Sequence, residues 1–238
     1  MKRTVSILLA LAMVLGLTAC GSKPNAAPDT PDAPPSESSS QQPEKPETPS
    51  VEGDGKTLVV YFSLPETDDP NNMTQEEENS TVVVDGKVLG NTQYVAQIIQ
   101  ENTGADLFRI EAETPYPLEH ETLVDLAAEE QDSNARPAIK DQIENLDQYD
   151  TVFLGYPIWW SDLPMILYTF LEEYDLSGKT VVPFSTHGGS GLARTISTIE
   201  ELQPDADVLE DGFTVSRNNV AEAEGDVVAW LTENGFVK

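Results

Sequence analysis

The sequence predicts an α/β domain built on an open, five-stranded parallel sheet with helices on both faces, and three observations carry that reading. Short apolar runs rich in Val, Leu and Phe alternate with helix-like segments from residue 57 to residue 238, the rhythm of βαβ units. The run Thr151-Val152-Phe153-Leu154-Gly155 leads straight into Tyr156-Pro157-Ile158-Trp159-Trp160, which sets adjacent indoles on a rigid turn at a strand's carboxyl end. Thr180-Val181-Val182-Pro183-Phe184 in turn empties into Ser185-Thr186-His187-Gly188-Gly189-Ser190-Gly191. That glycine-rich loop can bring bare backbone amides against a planar ligand. In open parallel sheets ligands sit at this carboxyl edge.

The elements follow in order. The first strand is Leu58-Val59-Val60-Tyr61-Phe62. A helix is expected over 91–102, with Val95, Ile98 and Ile99 on one side and Gly104 as its stop. The second strand covers 107–110, and weaker periodicity makes 119–130 and 138–146 helical. The third strand covers 151–154. The helix after it opens at Asp162 with Pro164 in its first turn, and its Leu167, Phe170, Leu171 and Tyr174 form the i, i+3, i+4, i+7 stripe of a sheet-packed helix. The fourth strand covers 180–184, although Pro183 removes a ladder donor there. Leu192, Ile196 and Ile199 mark the next helix, a last strand falls near 212–215, and Val220, Ala223, Val227, Trp230 and Leu231 belong to the final helix.

An insertion over 64–89 stands where a strand-to-helix turn of a few residues is usual. Its second half flanks Asp85-Gly86 with the β-prone runs Thr81-Val82-Val83-Val84 and Lys87-Val88-Leu89, a strong hairpin signal. A small β excursion from the binding edge of the sheet is therefore expected. The first half carries Glu66, Asp68, Asp69, Glu76, Glu77 and Glu78. Their spacing does not fit a calcium-binding EF-hand loop, and a solvated acidic loop is the reading.

Ahead of the domain lie two further segments. Lys2 and Arg3, the mostly apolar stretch 5–17, and Leu17-Thr18-Ala19-Cys20 read as a targeting segment over 1–20, too short for a typical membrane span. It resembles a bacterial lipoprotein signal, with Cys20, the chain's only cysteine, as the lipidated first residue of the mature protein. That implies export and attachment to the cell membrane by acyl chains alone. Residues 21–56 hold eight of the 17 prolines and almost no large apolar side chain, so they cannot offset their ordering entropy and form a tether. The formal charge of −29 excludes nucleic acid as a partner. It serves solubility or steering toward basic partners.

Two loops of this kind side by side suit a flat, polar-edged cofactor, a flavin first of all. Gly90-Asn91-Thr92 opens the helix after the first strand, and free amides at a helix start favour a phosphate. Together with Ser63, Tyr156-Pro157-Ile158-Trp159-Trp160 and Thr186-His187-Gly188-Gly189-Ser190-Gly191, this resembles the flavodoxin-like family over residues 57–238, in particular its lipid-anchored bacterial members. The resemblance implies a 2-1-3-4-5 sheet with FMN at the switch point. It implies that Ser63, Gly90, Asn91 and Thr92 wrap the FMN phosphate, with the insertion dividing that loop. It also implies that Tyr156, Pro157, Ile158, Trp159 and Trp160 flank the ring system, and that Thr186, His187, Gly188, Gly189 and Gly191 follow its pyrimidine edge. Adjacent indoles cannot both enter one core, so at least one of Trp159 and Trp160 lines a surface or pocket. His187 is either a donor to the ring or an exposed loop histidine, and His120 reads as a surface or helix-start residue.

Asp211-Gly212-Phe213-Thr214 begins like a covalent flavin-attachment motif but continues Val215-Ser216-Arg217, so FMN is expected to bind non-covalently. Ser190 lacks a nucleophile elbow, and neither an acid–base pair nor a metal cage is evident. The expected activity is electron transfer outside the cytoplasm, between redox partner proteins or small electron donors and acceptors. The alternatives are an NAD(P)H- or quinol-dependent flavin oxidoreductase and a flavin-free anchored interaction domain.

Overall fold

The computed structural model describes residues 57–237. The expected signal segment, Cys20 and the tether over 21–56 lie outside the described residues. The main sheet is parallel throughout, with strands β1 (Thr57–Phe62), β4 (Asp106–Ile110), β5 (Thr151–Pro157) and β6 (Thr180–His187) in the order β4-β1-β5-β6. The fifth position is shared by two short strands, β7 (Asp207–Val208) and β8 (Phe213–Ser216), both pairing with β6. Numbered by position, the order is the expected 2-1-3-4-5. A separate antiparallel hairpin joins β2 (Thr81–Val84) to β3 (Lys87–Gly90). Asp85 and Gly86 turn it with φ of 51° and 77°, the positive values a two-residue hairpin turn requires.

Alternation along the buried strands builds two cores, one on each face of the sheet. Leu58, Val60 and Phe62 face one side together with Val152, Leu154 and Tyr156, and there they meet Leu123 of α3 (His120–Ser133), Leu167 and Phe170 of α4 (Met165–Glu173) and Ile199 of α5 (Thr195–Leu202). Val59, Tyr61, Phe153 and Phe184 face the other, against Val95 and Ile99 of α2 (Asn91–Thr103) and Val227 and Leu231 of α6 (Glu224–Glu233). Each fully buried side chain of this size contributes about 1.5–3 kcal/mol. Gly104 ends α2 at φ 69°, its N–H donating to Gln100 O at 2.9 Å.

Pro183 fits because of the break between β7 and β8. The carbonyls of Val181 and His187 accept from Leu209 and Arg217 N–H, each at 2.8 Å, on the side of the fifth position. Pro183 shares their parity in the strand, so its missing donor points into the gap where no strand runs.

Several local expectations are corrected. Residues 138–145 are not helical, and Leu146 only opens a single 3-10 turn, Leu146–Gln148. Ala138 O accepts from Glu113 N–H and Lys140 N–H donates to Glu111 O, at 2.8 and 2.9 Å, so the chain runs extended beside the segment that follows β4. This pairing, centred on Ala112 and Ile139, outcompetes a weak helical pattern. Helix α4 starts at Met165 with Pro164 as its N-cap residue, and Asp162 lies outside it, drawn into the rim turn described below. The first half of the insertion contains a short helix, α1 (Gln75–Ser80), opened by a reciprocal cap between Thr74 and Glu77. Glu66 within it is buried rather than solvated.

Candidate functional site

At the carboxyl ends of β1, β5 and β6 lies a hollow of about 310 Å³. Ser63, Asn91, Thr92, Pro157, Ile158, Trp159, Trp160, Thr186, His187 and Gly188 all line it. The three stretches singled out in the sequence therefore meet at one place. Their junction is direct, since the hydroxyls of Thr92 and Thr186, 94 positions apart, share a hydrogen bond at 2.9 Å.

Four expected site residues stand behind the lining. Tyr156 is fully buried and its hydroxyl is bonded to Thr195 Oγ1 at 2.8 Å. Burial pushes its phenol up from the usual range, so Tyr156 is a core residue tying β5 to α5. Gly90 packs against Ser63, whose Oγ would lie 2.2 Å from a Cβ placed there. Gly189 and Gly191 shape the loop, with φ of 134° and 60°, without reaching the hollow.

The start of α2 is organised by side chains from elsewhere. Ser63 Oγ accepts from Gln93 N–H at 3.2 Å, and Gln93 Oε1 accepts from Gly90 N–H at 3.3 Å. Asn91 Nδ2 donates to Asn79 O at 2.9 Å, while its Oδ1 is buried without a partner. A buried acceptor left open at a site's edge awaits a donor from a ligand or water.

The tryptophan turn is a tight hairpin. Trp159 and Asp162 exchange both backbone hydrogen bonds at 3.0 Å, and Trp160 and Ser161 between them take φ of 49° and 64°. Side chains of this kind at positive φ store about 1–3 kcal/mol of strain each, and the surroundings hold them there. Trp159 meets Phe62 and Tyr116 edge to face, with centroids at 5.4 and 5.6 Å. Trp160, 55 % exposed, donates its indole N–H to Val124 O of α3 at 3.2 Å. Buried Asp162 accepts from Arg194 Nε and Nη2 at 3.0 and 2.6 Å and from Tyr168 OH at 3.1 Å.

The glycine-rich loop is fixed differently. Gly189 N–H donates to His187 Nδ1 at 2.8 Å, which leaves the ring proton of a neutral imidazole on Nε2. Burial holds His187 below its ordinary pKa, so the neutral form prevails at pH 7.

Further lining residues were not foreseen. Leu123, Val124 and Ala127 make an apolar wall on α3, and Glu66, Asn79 and Ser80 close the insertion side. Glu66 Oε2 lies 2.7 Å from His120 Nδ1, joining the insertion to the first residue of α3. His120 is thus at a helix start, as expected, yet it also borders the hollow. Arg217 follows β8 at the rim. The i, i+4 spacing of Leu123 and Ala127 was the one signal available for the α3 wall.

The largely apolar hollow, with a helix start at one end and indoles beside it, lies at the carboxyl edge of the parallel sheet, the place where open α/β folds bind their ligands. The flavodoxin family model matches residues 81–234, and the chain belongs to that family. It resembles a protein from Bacteroides eggerthii taken to be a flavoprotein, with 32 % identity over 77 % of this chain and 99 % of that one and a TM-score of 0.57. A second such protein, from Bacteroides uniformis, shares 27 % identity over 72 % of this chain and 97 % of that one, at a TM-score of 0.53. More loosely similar is a flavoprotein from Lactobacillus acidophilus in complex with FMN, at 19 % identity over 71 % and 98 % of the two chains and a TM-score of 0.48. No curated protein matches.

Proposed function

We propose that the hollow binds FMN non-covalently and that the protein carries electrons outside the cytoplasm, held at the membrane through Cys20. The observation that carries this reading is the convergence of Asn91, Trp159 and Gly188 on one hollow. The residues fit the group. In the first turn of α2 the Asn91 and Thr92 amides lack intrahelical acceptors and suit a phosphate, the Gln93 N–H being taken by Ser63 Oγ, and the open Oδ1 of Asn91 suits a ribityl hydroxyl. Trp159, braced from below by Phe62 and Tyr116, offers a rigid aromatic surface to the ring. Bound FMN would supply the redox chemistry, while this chain's residues hold the ring and exclude water from it. The partners under this reading are redox proteins or small electron donors and acceptors.

Titrating the purified, detergent-extracted chain into FMN tests the reading. Quenching of the flavin fluorescence is expected, and its absence leaves only an anchored interaction domain. The variant Cys20→Ser is expected to move from the membrane to the soluble fraction, and a variant that stays with the membrane overturns the anchor. A second reading, an NAD(P)H- or quinol-dependent flavin oxidoreductase, draws on the walls added by the insertion and α3, which enclose a space beside the indoles. Rapid bleaching of the bound flavin by NAD(P)H alone would select it.

A further inference from the structure

We infer that Arg217 is a ligand-binding residue of this hollow, donating from its guanidinium to the carbonyl-bearing edge of the bound ring and offsetting the negative charge the ring gains on reduction. The inference rests on the flavin reading. In the sequence Arg217 is only the last residue of the Val215-Ser216-Arg217 run with which the stretch departs from a covalent-attachment motif. The structure gives it a place. Strand β8 runs parallel to β6 with Ser216 opposite His187, and Arg217 N–H donates to His187 O at 2.8 Å. Its side chain then lies against Gly188, where a Cβ would stand 3.4 Å from both Cζ and Nη1. The guanidinium thus rests at van der Waals distance from the space a side chain at 188 would take, and Arg217 lines the hollow beside His187 and Gly188.

Charge sets this arginine apart. Among the described residues, Arg109, Arg136, Lys140 and Arg194 each have a carboxylate within salt-bridge distance, Lys179 Nζ is bonded to Tyr149 O at 2.7 Å, and Lys87, which has no salt bridge, lies on the hairpin away from the hollow. Arg217 has no acidic partner among them, and it is the one arginine or lysine that lines the hollow. An arginine is charged at every working pH. A chain of net charge −29 opposes the addition of electrons to anything bound to it, and one guanidinium in contact with the ring edge counters that field where it acts. The ring edge is favoured over the phosphate because Arg217 packs on the loop that follows β6, whereas the phosphate is assigned to the first turn of α2.

The test compares wild type with Arg217→Gln and Arg217→Lys, using FMN and riboflavin as probes and the midpoint potential of bound FMN as a second readout. Arg217→Gln is expected to weaken FMN and riboflavin alike, by about tenfold. The reduced form should lose a further factor of about ten relative to the oxidised one, a fall of about 30 mV for a two-electron couple. Arg217→Lys should restore most of the potential and little of the affinity, since it keeps the charge and loses the planar fork. Loss of FMN affinity with riboflavin untouched would put Arg217 on the phosphate and overturn the inference, as would an unchanged potential. If wild type fails to quench FMN, the flavin reading itself falls and takes the inference with it.

Discussion

Two loops leave neighbouring strands at the same level of the sheet, since Pro157 pairs with Thr186, yet they are held by different groups. The tryptophan turn is fixed by side chains. Trp159 packs against the Phe62–Tyr116 pair, Trp160 is tied to α3, and buried Asp162, which closes the turn, is held by Arg194 and Tyr168. The glycine-rich loop instead has its own amides and carbonyls tied by small polar groups, the Gly189 N–H to the His187 ring and the Ser185 hydroxyl to Gly191 O at 3.3 Å. One rim therefore offers a rigid aromatic surface, and the other offers amides and room for the Arg217 side chain. A ligand held between them is stacked on one side and hydrogen-bonded on the other.

The largest effect would come from disturbing what the loops share. Gly155 of β5 lies under the ring of Phe184 on β6, and an added Cβ would stand 2.0 Å from Phe184 Cζ. Gly155→Ala is expected to cost about 3 kcal/mol and to impair both rims together, seen as a lower urea midpoint and lost FMN quenching. An alanine variant of wild-type stability would show that Phe184 has another place to go.

Asp162→Ala sharpens the contrast by loosening one rim alone. It strips Tyr168 OH and Leu163 N–H of their acceptor, a loss of about 2 kcal/mol. The tryptophan emission should change while the His187 ring resonances stay in place. Movement of both signals would mean that the loops form one unit.

The smallest effect concerns the glycine-rich rim. Because burial depresses the His187 pKa below 6.5, the stability this neutral ring contributes is fully present above that value. It is lost as the pH falls through the depressed folded-state value. Wild type should therefore lose stability on acidification more steeply than His187→Asn, as followed by urea midpoints from pH 7.5 downward. Parallel curves would show that the Nδ1 contact with Gly189 N–H does not matter.

The sheet was readable because its strands are buried on both faces and appear as plain apolar runs, and the hairpin because Asp85-Gly86 has one good conformation. The rim loops were readable because glycine and paired indoles are unusual at strand ends. The misreadings have a common physical origin in contacts made across the chain. Asp162 looks like a helix cap in isolation, but a strained turn and Arg194 claim it. Residues 138–140 follow 111–113 and not their own weak helical preference. Glu66 was one acid among many until His120, 54 positions away, met it. Arg217 gains its meaning only once β8 sets it beside Gly188. Tyr156, read with its neighbours as a ligand contact, alternates inward with the strand, as period two demands.

The broken fifth strand has a consequence beyond accommodating a proline. Its two pieces are only two and four residues long, and a hydrogen-bond donor is missing behind the gap between them. Another extended chain meeting this flank finds no unbroken row of amides and carbonyls on which to zip. Along this flank, two molecules of this protein would therefore find no continuous ladder on which to join sheet to sheet.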